Sequence, residues 1–188
     1  MIMQETIMQH PQERLFRRFL EQLQSALPDT APTDLTSESL SQAFRYTFDV
    51  NKMTVISHII EDTAADHPSA DLHVSFQYMS RFSDQAPRYH NLVRVLNHLW
   101  LYAALDAPAP TLPHTTIIDT GGSFLEAYWF VVAYGPGLSM TLLAKEIGQS
   151  RRYEGIYAFD HNITYKVLNL LHMLYPGVVP APLPPELL

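Results

Sequence analysis

Residues 124–160 read FLEAYWFVVAYGPGLSMTLLAKEIGQSRRYEGIYAFD. An aromatic and β-branched run from Phe124 to Tyr134 stops at Gly135-Pro136-Gly137. A second apolar run, residues 138–147, stops at Gly148-Gln149-Ser150, and a third spans residues 152–160. Runs of this length and composition, separated by glycine-bearing breaks of hairpin size, predict strands paired antiparallel. Residues 115–120, followed by Gly121-Gly122, extend the pattern to a meander of four. Residues 138–147 are the least distinctive, because Met140, Leu142, Leu143, Ala144 and Glu146 also suit a helix.

Working outward, Asp160 or Asn162 opens a closing helix whose buried stripe is Val167, Leu168, Leu171 and Leu174, ended by Pro176. The tail to Leu188 carries Pro180, Pro182, Pro184 and Pro185 and should be extended or mobile. Upstream, residues 106–114 hold Pro108, Pro110 and Pro113 and must be loop. Residues 98–105, HLWLYAAL, suit a buried strand, with a helix end as the alternative, and a helix starts at Pro87, with Tyr89, Leu92, Val93 and Leu96 at helical spacing. Residues 72–76 alternate apolar and polar, as a strand does.

The amphipathic helix of this half is residues 51–66, NKMTVISHIIEDTAAD. Met53, Ile56, Ile59 and Ile60 recur at helical spacing. Ser57, His58, Glu61 and Asp62 fall together on the other flank, since residues three and four apart are neighbours. Two readings stay open for that rim: the polar lining of a site, or a solvated helix face with one His–Glu contact. A further helix is expected from a Thr36 or Ser37 cap through Phe44 to about Phe48. Before it, Leu15, Phe16, Phe19, Leu20, Leu23 and Leu27 form one apolar stripe ended by Pro28. Phe16, Leu20 and Leu23 on that stripe are the candidate partner interface. Packing on the chain's own domain and pairing with a second copy remain equal alternatives. The fold class is therefore α+β, with an α/β-like first half: a mixed sheet with an antiparallel meander, flanked by helices. The expected divisions are residues 1–34 as a helical extension and linker, 35–175 as the domain, and 176–188 as a proline-rich tail.

The chain has 188 residues, 47% hydrophobic and 11% aromatic, enough for one domain with a sizeable core. A formal charge of −7 argues against nucleic acid, whose phosphates call for clustered Lys and Arg. The absence of Cys removes disulfides, thiolate metal sites and iron–sulfur clusters. No segment approaches the apolar length of about 20 residues that spans a bilayer, and no signal pattern opens the chain. A soluble cytoplasmic protein is expected.

Two blocks resemble the DICT sensory domain of bacterial signalling proteins. The first is Ser57-His58-Ile59-Ile60-Glu61-Asp62, then Phe76-Gln77, Arg81-Phe82, Gln85, and Arg88-Tyr89 with Leu92. The second is Trp129-Phe130-Val131-Val132, then Leu142-Leu143-Ala144-Lys145-Glu146, then Arg151-Arg152-Tyr153-Glu154-Gly155 running into Phe159-Asp160. The similarity spans residues 51–174 and is specific as an ordered set rather than in any one member. It implies a sensory or regulatory module without catalysis. Such a module binds a small ligand or a protein partner and signals in trans.

The ligand or signalling residues are then Ser57, His58, Glu61, Asp62, Phe76, Gln77, Arg88 and Tyr89. A signalling protein, a second copy of the chain and a small molecule are the expected partners; nucleic acid and membrane are not. The resemblance names no cofactor. His58 with Glu61 and Asp62 has metal-like spacing but lacks a further ligand, so no metal is assigned. Arg81, Arg88, Arg151 and Arg152 would suit an anion if they converged, or could pair with the surplus acids. Asp119-Thr120-Gly121-Gly122-Ser123-Phe124 resembles a cyclase hairpin but has Ser and Phe where metal-binding carboxylates are needed, so it reads as a turn. No phosphate loop, Gly-x-Ser-x-Gly or His-Glu-x-x-His is present. The competing readings are an adaptor without a pocket and a small hydrolase using His58 as base with Glu61 orienting it.

Overall fold

Helices on both faces of one seven-stranded sheet make up the fold, in a computed structural model that describes residues 44–188. The strands are β1 (Phe44–Asp49), β2 (Asp71–Tyr78), β3 (His98–Ala104), β4 (Thr115–Asp119), β5 (Tyr128–Gly135), β6 (Leu138–Glu146) and β7 (Arg152–Ala158). Their order across the sheet is β1-β7-β6-β5-β2-β3-β4. The helices are α1 (Val50–Ala65), α2 (Ala86–Leu92) and α3 (His161–Leu174). The apolar stripe at Phe16, Leu20 and Leu23 lies outside the described residues, as does the expected helix start at Thr36 or Ser37.

The antiparallel meander is present as β5-β6-β7, and its far side continues into β1, antiparallel to β7. Residues 138–144 of β6 are buried without a break because both faces of this central strand are covered. The fourth strand of the expected meander behaves differently. β4 runs parallel to β3 at the opposite edge, and β3 runs parallel to β2. Gly121-Gly122 is not a hairpin: the Gly121 N–H donates to Asp119 Oδ1 (2.8 Å) and the Gly122 N–H to Glu126 Oε1 (2.7 Å). Residues Phe124–Ala127, expected in the strand, form a 3₁₀ turn that carries the chain across the sheet end, so that β5 pairs with β2.

Residues 44–48, expected to end a helix, are strand instead. Phe44, Tyr46 and Phe48 alternate with polar residues, which is the period of a strand, and aromatic residues favour that state. Asp49 ends the strand and starts the next element, its carboxylate accepting from the Lys52 N–H at 2.8 Å as an N-cap.

α1 and α2 cover one sheet face. Met53, Ile56, Ile60 and Ala64 of α1 pack with Leu72, Val74, Val131, Leu142, Tyr153 and Tyr157. α3 covers the other face with Val167, Leu168, Leu170 and Leu171 against Tyr128, Phe130, Val132 and Ile156. A buried hydroxyl pair, Thr141 to Thr164 at 2.9 Å, ties α3 to β6. Each large side chain buried this way contributes about 1.5–3 kcal/mol. The proline tail returns over the α3 face: Val179 is buried, and the Tyr134 hydroxyl donates to the Leu183 carbonyl at 2.7 Å.

His73 sits under that cover, stacked on Trp100 with ring centroids 4.5 Å apart and hydrogen-bonded to the Tyr102 hydroxyl at 3.0 Å. Burial, with a smaller contribution from His98, pushes its pKa down from 6.5 to about 3. A depressed histidine holds its proton less well folded than unfolded, so its contribution is present above pH 6.5 and is lost as pH falls toward 3. The expected slope in that window is about 1.4 kcal/mol per pH unit. His98, also lowered by burial, acts in the same direction, while Asp71, raised by burial, acts oppositely. Urea unfolding at stepped pH should show the slope, and a His73→Phe chain should lose most of it. An unchanged slope in that chain would place the acid sensitivity elsewhere.

Candidate functional site

A cleft of about 280 Å³ opens between α1, the end of β2, the segment preceding α2, and β5. Its floor is Val74, Phe76, Trp129 and Val131, and its rim carries Thr54, Ser57, His58, Glu61, Arg81, Asp84, Gln85, Tyr89 and Arg151. The end of β2 shapes it. Register against β3 shifts between Ser75 and Gln77, so Phe76 is the extra residue of a bulge. Phe76 meets Phe82 and Tyr89 edge-on, each at 5.2 Å between centroids.

Gln77 follows in left-handed backbone with φ 61°, a conformation that costs a non-glycine residue about 1–3 kcal/mol. Its buried side chain offsets that cost with a full set of bonds. Oε1 accepts from the Tyr153 hydroxyl (3.0 Å) and from Arg81, while Nε2 donates to the Glu126 carbonyl (3.0 Å) and to Glu146 (3.2 Å). Gln77 therefore does not line the cleft; it holds Arg81, which does.

On the helical wall, Glu61 is buried and its carboxylate is fully engaged. Tyr89 donates to Oε1 at 2.6 Å, and Arg88 Nε donates to Oε2. The same guanidinium bonds the exposed Asp62 carboxylate and, at 3.1 Å, the His58 carbonyl. Burial works to lower the Arg88 pKa, but Glu61 and Asp62 outweigh it, and the net shift is upward. Burial, reinforced by the Glu61 charge, pushes the Tyr89 hydroxyl well above its usual range. This clamp ties α2 to α1 and sets the width of the cleft. Ser57 is buried beside it, donating to the Met53 carbonyl (2.7 Å) and accepting from the Trp129 indole N–H (3.1 Å).

Of the residues expected from sequence, Ser57, His58, Glu61, Phe76 and Tyr89 line one cleft. Asp62 and Arg88 brace its wall from outside. Glu61 does not orient His58, whose Nε2 instead lies 3.3 Å from Gln85 Oε1. The general-base pairing that a hydrolase would use is thus not formed. No group of three or more His, Asp or Glu gathers at metal-binding distance among the described residues.

Sequence reading gave Trp129 no role in the site and named Arg151 only among four arginines that could meet an anion. Trp129 is the only indole in a strand of Phe, Val and Tyr residues and lies half-buried, and Arg151 sits in the turn before β7 with φ 53°. A polar-edged aromatic ring within an apolar strand was the available signal.

A family model described as the sensory domain in diguanylate cyclases and two-component systems matches residues 18–147. The chain belongs to the DICT family. The matched span contains α1, the β2 bulge, the Arg88 clamp and Trp129, so nearly all of the cleft is DICT sequence; Arg151 lies just beyond it. No curated protein matches the chain. Among the described residues, no helix of this DICT domain is long and apolar enough to cross a membrane.

Proposed function

We propose that this DICT domain is a non-catalytic sensory module in which the α1–β2–β5 cleft receives a small ligand and a signal passes to a protein partner. The observation that carries the reading is the way the cleft is built. Its apolar floor is flanked by polar groups already held by the buried Glu61–Tyr89–Arg88 clamp and the Ser57–Trp129 bond. Preorganised polar groups over an apolar floor are what small-molecule sites use for orientation and affinity. Ser57, His58, Glu61, Phe76 and Tyr89 form the lining, while Asp62, Gln77 and Arg88 keep it in shape. An adaptor that works through its surface alone has no use for such a hollow.

A native mass spectrum of the protein purified from its own host tests this. A co-purifying small molecule is expected, and Thr54→Trp should expel it. Thr54 is half-buried on the rim, so the indole fills the cleft without entering the core. A bare protein whose signalling output is untouched by Thr54→Trp would remove the cleft from the function.

A further inference from the structure

Two of the four arginines that could gather on an anion line the same cleft. Arg88 is committed to Glu61 and Asp62, and Arg152 does not reach the cleft. Arg81 and Arg151 both line it, and among the described residues neither guanidinium is in an ion pair. One residue connects them. Gln77 Oε1 holds Arg81, and Gln77 Nε2 holds Glu146, whose other oxygen accepts the Arg151 backbone N–H at 3.0 Å. Arg81 is further fixed over the Tyr78 ring, 5.0 Å from its centroid. Two guanidiniums outside any ion pair on one rim, one held by its head group to a fully bonded glutamine and the other tethered through its backbone, suit an oxyanion.

The lining also limits the charge. Glu61 is neutralised by Arg88, which leaves Arg81 and Arg151 facing Asp84, with the Glu146 carboxylate behind them on Gln77, so the rim has no charge to spare for a dianion. The Trp129 N–H is spent on Ser57, so the indole offers the ligand only apolar surface. About 280 Å³ is at the small end for ligand sites, which run from roughly 300 to 1,000 Å³. We infer that the cleft takes a small organic monoanion, a single carboxylate on a one-ring body, with Arg81 and Arg151 on the carboxylate and Trp129 and Phe76 against the ring. This rests on the cleft being the ligand site.

Trp129 reports on the cleft directly. The chain has two tryptophans, so Trp100→Phe leaves Trp129 as the sole indole. Its fluorescence is quenched with neutral acrylamide and anionic iodide at constant ionic strength, in the full chain. Iodide should quench at least twofold more steeply, relative to acrylamide, than it quenches free N-acetyltryptophanamide. That excess should fall by half or more in Arg151→Gln and vanish when Arg81→Gln is added. Arg151 is exposed, so the single variant carries the test should the double one not fold.

Benzoate should shield Trp129 from iodide in the parent, and neutral benzamide should not. An iodide excess that is absent, or unchanged in Arg151→Gln, overturns the anion assignment alone. Equal shielding by benzoate and benzamide does the same while leaving a ligand site, and shielding by neither overturns the one-ring ligand. Failure of acrylamide to reach Trp129 would mean a closed cleft and would take the sensory reading down with it.

Discussion

A Gly155→Val chain should fail to accumulate as folded protein. Gly155 lies in β7 opposite Ala144 of β6, and a Cβ added there would stand 2.1 Å from the Leu143 carbonyl oxygen and 2.5 Å from the Ala144 Cα. Both obstacles are backbone of the central strand, so no rotamer change relieves them. β6 and β7 would have to part, and β1, which among the described residues pairs only with β7, would be undocked with them. The expected loss exceeds about 4 kcal/mol, set against a total stability of about 5–15 kcal/mol for a domain of this kind. Gly177→Ala is the control, since nothing lies within 4 Å of its new Cβ, and its change should stay within about 0.5 kcal/mol. Urea unfolding followed by circular dichroism reads both. A folded Gly155→Val domain with control-like stability would mean that the two strands can separate at that point at no cost.

Glu61→Ala should lower stability by about 3 kcal/mol, because it strands a buried tyrosine hydroxyl and part of a guanidinium without an acceptor. At about 3 °C per kcal/mol, this is a melting shift of about 9 °C. Glu61→Gln keeps an acceptor for Tyr89 but loses the charge and turns an amide NH2 toward the Arg88 N–H, so a cost between those of Glu61→Ala and Asp62→Ala is expected. Asp62→Ala removes the exposed arm of the same clamp and should cost no more than about 1 kcal/mol. The ordering Glu61→Ala, then Glu61→Gln, then Asp62→Ala, from most to least destabilising, is the signature of a clamp centred on the buried carboxylate. Equal, small shifts for all three would show that α2 is held to α1 by packing alone.

Much of this was readable because it depends on local pattern. The three-strand meander follows from glycine breaks between apolar runs, α1 from its apolar spacing, and α3 from its apolar spacing and the Asp160 cap. What escapes reading depends on who pairs with whom. Local pattern groups β4 with the meander because Gly121-Gly122 resembles a hairpin. Nothing local shows that those glycines donate to Asp119 and Glu126 and let the chain cross the sheet end instead. At β1, a cap signal upstream outweighs the two-residue period of the aromatics and points to a helix. The cleft needs β5 beside β2, so Trp129 meets Ser57 across 72 positions of sequence. Nor does sequence announce a left-handed glutamine, since glycine and asparagine are the residues that usually mark such backbone.

The pairing of β1 with β7 has a consequence for how the domain comes into being. β1 finds its neighbour about 110 residues later, and among the described strands the parallel β2-β3-β4 group joins the rest only through β5. Non-local pairings of this kind make folding slow, because chain entropy is lost before the contacts compensate. On the ribosome, β1 must wait until β7 has emerged, and a chain interrupted before Arg152 would present two unsatisfied sheet edges at once, on β1 and β6. Such edges recruit other chains. A ribosome-stalled series of lengths should therefore show protease resistance arriving late and in one step after residue 158, with shorter chains prone to aggregate.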